Sequence, residues 1–107
     1  MSKSLNFTNV TKKYFTVTLP DEKNTTILVG MPTKALLREL TNLKVGDMSD
    51  LNALDDLYAV CASVMSRNKG GIKITVELLE DIFDFGDIIV FLKGYMDFIS
   101  EAIGRKN

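Results

Sequence analysis

SRNKGGIKITVELLEDIFDFGD, residues 66–87, can be read as a phosphate loop, a metal site, a kinase fragment or the seam between two helices. The first reading fails on spacing. A phosphate loop follows a strand and keeps four residues between its first glycine and a Gly-Lys-Ser/Thr triplet, which NKGG does not. As a helix stop the same letters fit well, with Gly70 or Gly71 as a left-handed cap. Thr75 then caps a short helix running through Phe83. Glu77, Glu80 and Asp81 lie near its start, where the helix dipole favours anions. On a wheel of roughly 100° per residue, Glu77, Glu80, Asp81 and Asp84 fall on one side and Leu78, Leu79, Ile82 and Phe83 on the other. That is a solvated acidic face, since a calcium site needs a loop and a ligand spacing that are missing here. The letters Asp84-Phe85-Gly86 match a kinase motif by coincidence, because the other kinase signatures do not fit into 107 residues. Either Asp84 or Asp87 caps the next helix, with Gly86 allowing the bend. The stretch is a helix seam.

Working outward from the seam, Leu51, Leu54, Leu57, Tyr58, Cys61, Val64 and Met65 recur at helical spacing, which predicts a helix over about 50–68 with Ser49 as its N-cap. A loop at 44–49 separates it from a helix over about 33–43, opened by Pro32 or Thr33. That helix carries Leu36, Leu37, Leu40 and Leu43 on one stripe. Before it, KYFTVTL and TTILVGM alternate in hydrophobicity on either side of the turn-forming PDEKN, which predicts a β-hairpin over about 14–30. Phe15, Val17 and Leu19 share its apolar face. A lone hairpin is marginal in water, so this face must rest on helices. Downstream, DIIVFLKGYMDFISEAI predicts a last helix over about 87–103. Residues 1–12 are polar and read as a flexible segment. The expected fold is α+β: an N-terminal β-hairpin packed on a bundle of about four α-helices, forming one domain over 13–107.

Composition removes much chemistry. There is no His and one Cys among 107 residues. That takes away the usual zinc ligand sets and every His-based catalytic dyad or triad. A carboxylate–lysine enzyme built on Glu77 or Glu80 with Lys73 lacks any evident cause for the shifted pKa that acid–base catalysis requires. The chain is therefore expected to be non-enzymatic, with no catalytic residues, cofactor or metal. The formal charge of −1 provides no global field for nucleic acid or anionic lipid, although residues 1–49 hold seven Lys/Arg against four Asp/Glu and residues 50–107 hold six against ten. Lys12 and Lys13 beside Tyr14 and Phe15 have the basic-plus-aromatic character of single-strand binders. They equally read as lysines guarding a strand edge. The longest apolar run, Ile88 to Leu92, is far short of the roughly 20 residues that span a bilayer. Met1-Ser2-Lys3-Ser4 leads into no signal core. Together with the single Cys, these features predict a cytoplasmic protein.

One feature exceeds a bland fold. In the last helix Ile88, Ile89, Phe91, Leu92, Tyr95, Met96, Phe98, Ile99 and Ile103 fill an arc of roughly 180°, where a core-facing helix needs about 100°. The helix over 50–68 shows a similar excess through Val60 and Val64. The surplus predicts a self-assembly or partner-binding face, with Phe91, Tyr95, Met96 and Phe98 as anchors and Val60 and Val64 as the second flank. On this reading, replacing Phe91 or Phe98 by Asp abolishes binding and spares the fold.

KKYFTVTLPDEKNTTILVGMPTKALLREL, followed by RNKGGIKITVELLEDIFDFGDIIVFLKGYMDFI, resembles the tail assembly chaperones of long-tailed phages and prophages of Gram-positive bacteria. The likeness covers Lys12 to Ile103 and lies in the order of pieces: hairpin, proline-opened helix, glycine seam, acidic segment and YMDFI helix. It implies a non-enzymatic morphogenesis factor that binds the tape measure protein before tail tube subunits polymerise around it. It also implies a homo-oligomer in the host cytoplasm, absent from the mature virion, and a frameshifted longer form that recruits tail tube protein. No nucleic acid or membrane partner is implied. A head–tail joining type of assembly protein is the alternative, and a nucleic-acid-binding module a more distant one.

Overall fold

The computed structural model describes residues 13–43 and 51–104. Two strands, β1 (Phe15–Thr18) and β2 (Thr26–Val29), precede four helices: α1 (Lys34–Thr41), α2 (Leu51–Met65), α3 (Val76–Ile82) and α4 (Phe85–Ala102). The α+β architecture expected from the sequence is present. The proposed flexible segment 1–12, the loop 44–49 and its N-cap Ser49 lie outside the described residues.

The strands pair antiparallel, with Phe15 opposite Val29, Val17 opposite Ile27 and Thr18 opposite Thr26. This register places the alternating apolar residues of both strands on one face, as the period of two requires. Asp21 shapes the turn. Its carboxylate accepts from Thr25 N (2.9 Å) and Thr25 Oγ1 (2.7 Å), and these bonds hold the carboxyl below the usual carboxylate range. Asn24 takes the left-handed conformation (φ 49°), which Asn tolerates better than most residues.

Each helix start that falls among the described residues is capped by a short polar side chain. Thr33 Oγ1 accepts from Leu36 N in α1, and Thr75 Oγ1 accepts from Leu78 N in α3. Both aspartates named for α4 take part in its cap. Asp84 Oδ1 accepts from Asp87 N (2.8 Å) while Asp87 Oδ2 accepts from Asp84 N (3.1 Å), a reciprocal capping box. The helix therefore starts at Phe85, earlier than the expected 87, and Gly86 lies inside its first turn without making a bend.

The glycine pair behaves differently from a helix cap. Helix α2 ends at Met65, and Gly71, the left-handed residue (φ 71°), lies beyond it in the connecting loop. The loop is instead closed by two side chains. Asn68 Nδ2 donates to Met65 O (2.9 Å) and Ile72 O (2.6 Å), while Asn68 Oδ1 accepts from Ile72 N (2.8 Å). Ser66 Oγ donates to Ile74 O and accepts from Ile74 N. The same loop runs along the outer side of β2. Lys69 N donates to Leu28 O, Gly30 N donates to Arg67 O, and Asn68 forms an antiparallel bridge with Val29. The 66–87 seam thus joins α2 to α3 and also fixes the hairpin.

The core runs through every element. It contains Leu19, Ile27 and Val29 from the hairpin and its turn, Leu36 and Leu40 from α1, and Leu57, Cys61, Val64 and Met65 from α2. Leu79 of α3 and Ile88, Leu92 and Ile99 of α4 complete it. Tyr58 Oη donates to Phe83 O (3.1 Å), tying α2 to the junction of α3 and α4.

Asn68 is the one buried polar residue among those described, and its side chain satisfies three backbone groups. Asn68→Ala would remove the partner of one buried and two partly buried backbone groups. It is expected to cost about 2–3 kcal/mol of unfolding free energy, read as a lower urea midpoint at unchanged m value.

Candidate functional site: the flanks of the last helix

The surplus apolar arc of α4 is largely covered by the hairpin. Phe15 projects from β1 into a set of rings on α4, with centroids 6.1 Å from Phe91, 6.0 Å from Tyr95 and 5.6 Å from Phe98. Phe91 and Tyr95 stack at 5.7 Å and Tyr95 and Phe98 at 6.0 Å, within the range where ring pairs attract beyond their area burial. Tyr95 Oη donates to Gly30 O (2.7 Å), so the last helix hydrogen-bonds the end of the hairpin. Burial pushes the Tyr95 phenol up to about 12.

Gly94 lets the two elements approach. A Cβ there would lie 3.0 Å from Phe15 Cζ, so the ring would have to shift. Sequence reasoning passed over Gly94, although a glycine inside an apolar helix costs about 1 kcal/mol relative to Ala and for that reason marks a close approach.

The six expected interface residues therefore divide. Phe91, Tyr95, Val60 and Val64 are buried in the core of their own chain and present no free face. Phe98 is half-buried under Phe15, and Met96 is exposed. The wide arc was read as a surplus for a partner or a second copy, but much of it is taken up by the chain's own hairpin through Phe15. The same burial revises the expectation for Phe91→Asp, which now places a carboxylate inside the ring cluster.

The apolar surface that stays in water is a different set: Leu51, Ile72, Val90, Met96 and Ile103. On α4, Met96 and Ile103 are seven residues apart, as are half-buried Ile89 and Met96, so the three share one flank. Phe85 precedes them, and Leu92 and Ile99 alternate with them on the buried side. The result is a 4–3 spacing along the whole helix, the pattern that seats one helix against another. Val90 is separate, on the side of α4 that faces the β1 strand across a groove of about 440 Å³.

The remaining candidates are dispersed. Glu77, Glu80, Asp81 and Asp84 are all exposed, and no described group of three or more His, Cys, Asp or Glu is placed to hold a metal ion. Lys73 is exposed as well. Cys61 is buried, and desolvation pushes its thiol up to about 12, far from a reactive thiolate. Lys13 and Tyr14 meet Arg67 and Lys69 in an open cleft of about 580 Å³, with Lys69 Nζ 5.7 Å from the Tyr14 ring centre and Arg67 Nε donating to Met31 O. No described helix is long and apolar enough to cross a membrane.

No family model, curated protein or solved structure matches this chain.

Two outcomes follow from the ring cluster. Phe91→Asp is expected to unfold the domain, seen as loss of helical circular dichroism at 25 °C, whereas Met96→Asp leaves it intact. Tyr95 holds its proton more tightly folded than unfolded, where a tyrosine titrates near about 10. Its contribution to stability is thus fully present below that pH and is lost as pH rises towards about 12. Tyr95→Phe should lower the melting temperature at pH 7 and flatten its fall at alkaline pH.

Proposed function

We propose that this chain is a non-enzymatic assembly chaperone of the phage tail type. It binds an elongated helical client, the tape measure protein, and self-associates while doing so. The observation that supports the reading best is the Ile89–Met96–Ile103 flank of α4. This apolar strip at heptad spacing, on the helix that anchors the fold, suits an amphipathic client helix. Met96 is apt for the task, because a flexible thioether adapts to several side chains along a repetitive partner. In the host cytoplasm such a protein would keep its client soluble until tail tube subunits arrive, with a frameshifted longer form supplying the contact to them.

A second reading, binding of an anionic single strand, is favoured by the Lys13, Tyr14, Arg67 and Lys69 cleft, in which no lining residue is acidic. The net charge of −1 and the exposed acidic face of α3 weigh against it. A head–tail joining role would use the same α4 flank for a different virion protein.

Co-expression with a tape measure protein, followed by affinity capture, tests the proposal. The wild-type chain is expected to retain the client in the soluble fraction. Met96→Asp and Ile103→Asp are each expected to weaken capture about tenfold or more, with melting temperature within a few degrees of wild type. Capture unaffected by both substitutions, or binding to oligonucleotide at low ionic strength that falls steeply with salt, would replace this reading.

A further inference from the structure

Two exposed charged surfaces lie apart from the apolar flank of α4. The first is the cleft at the open end of the hairpin, walled by Lys13 and Tyr14 ahead of β1, Gly30 to Pro32 beyond β2, and Arg67 to Lys69 of the loop. It gathers three cations and no carboxylate. Two of these cations are held in place. Arg67 Nε donates to Met31 O (3.0 Å), which leaves the terminal nitrogens of the guanidinium as a fork of the shape a carboxylate fills. Lys69 Nζ sits 5.7 Å from the Tyr14 ring centre, so that ring face is taken by an ammonium and closed to a stacking base. Helix α1 begins just past Pro32 with no acidic residue in its first turn, and its dipole adds to the positive field.

The second surface is the outer face of α3. Glu77, Glu80 and Asp81 are exposed at i, i+3 and i+4, and the helix holds no Lys or Arg. Like charges at these spacings repel. Asp81 shares a groove with Lys23 of the hairpin turn, whereas neither Glu77 nor Glu80 lines it. No residue of α3 lines the cleft of its own copy, because buried Leu79 locks the helix into the core and its C-terminal half meets the turn end of the hairpin. We infer that the basic cleft of one copy receives the Glu77–Glu80 face of a second copy, with Arg67 forked on one carboxylate and Lys13 and Lys69 beside the other. Each self-repelling surface is relieved by its opposite. The two surfaces differ, so a joined copy still offers one of each, and the contact repeats head to tail as a ring or an open array. Such an array presents its client-binding flank many times along an elongated partner.

This inference rests on the self-association in the proposed function and adds where it occurs. Exchange of charge tests it. Lys13→Glu/Lys69→Glu reverses the cleft and Glu77→Lys/Glu80→Lys reverses the helix face, all at exposed positions, with the Arg67 bond to Met31 left in place. In sedimentation equilibrium at low ionic strength the wild-type chain is expected to associate. Each double variant alone should associate at least about tenfold more weakly, and an equimolar mixture of the two should regain association, which also shows that both are folded. Arg38→Glu/Lys93→Glu alters net charge as much as the cleft variant, away from both surfaces, and should neither weaken association nor rescue Glu77→Lys/Glu80→Lys. A wild-type monomer at high concentration, a mixture that stays dissociated, or equal rescue by the Arg38/Lys93 control would overturn the inference. So would oligonucleotide binding that Lys13→Glu/Lys69→Glu abolishes, since the cleft would then serve a strand. Client capture by the wild-type chain separates the two readings: capture with failed rescue removes the joint alone, and rescue without capture removes the client alone.

Discussion

The contact between the hairpin and the last helix is the constraint on which the rest of the structure depends. A two-stranded hairpin cannot hold itself together in water, and a helix apolar over half its circumference cannot be satisfied by one helical neighbour. Each supplies what the other lacks. Phe15 enters the rings of Phe91, Tyr95 and Phe98, Gly94 lets it come close, and Tyr95 donates to Gly30 at the end of the hairpin. The Tyr95–Gly30 bond spans 65 positions of sequence, so it forms only once both ends of the chain are in place.

The 66–74 loop acts as the second tie. Asn68 and Ser66 close it with side chains while its backbone runs along β2, so one short segment ends α2, leads into α3 and shields a sheet edge. With that edge covered and the hairpin held on α4, the surfaces left over are narrow and distinct: the β1 edge above Val90 and the Met96–Ile103 flank. They lie on different sides of α4.

Much of this was legible from residue spacing. The hairpin faces, the Thr75 cap, an aspartate cap for α4 and the leucine stripe of α1 are local matters, governed by repeat periods of two and 3.6 and by short-range hydrogen bonds. The glycine pair misled because left-handed caps are common after helices. Here the helix stops earlier, and Asn68 closes the turn through contacts to backbone four residues away. Among the six residues chosen as an interface, those deepest in the apolar arc were the ones the fold consumed. Met96 survived because it sits at the rim.

The sequence by itself determined the element order, the α+β class, the lack of His and the presence of more apolar helical arc than one neighbour could cover. Those are properties of composition and local period, and they do not change with how the pieces meet. Tertiary structure alone decided which part of that arc is hidden, because burial depends on what lies opposite, and Phe15 is about 76 positions away from Phe91 along the chain. It also decided that the outer edge of β2 is sheathed while that of β1 has no partner among the described residues, since a strand's edge is defined by the neighbours that reach it.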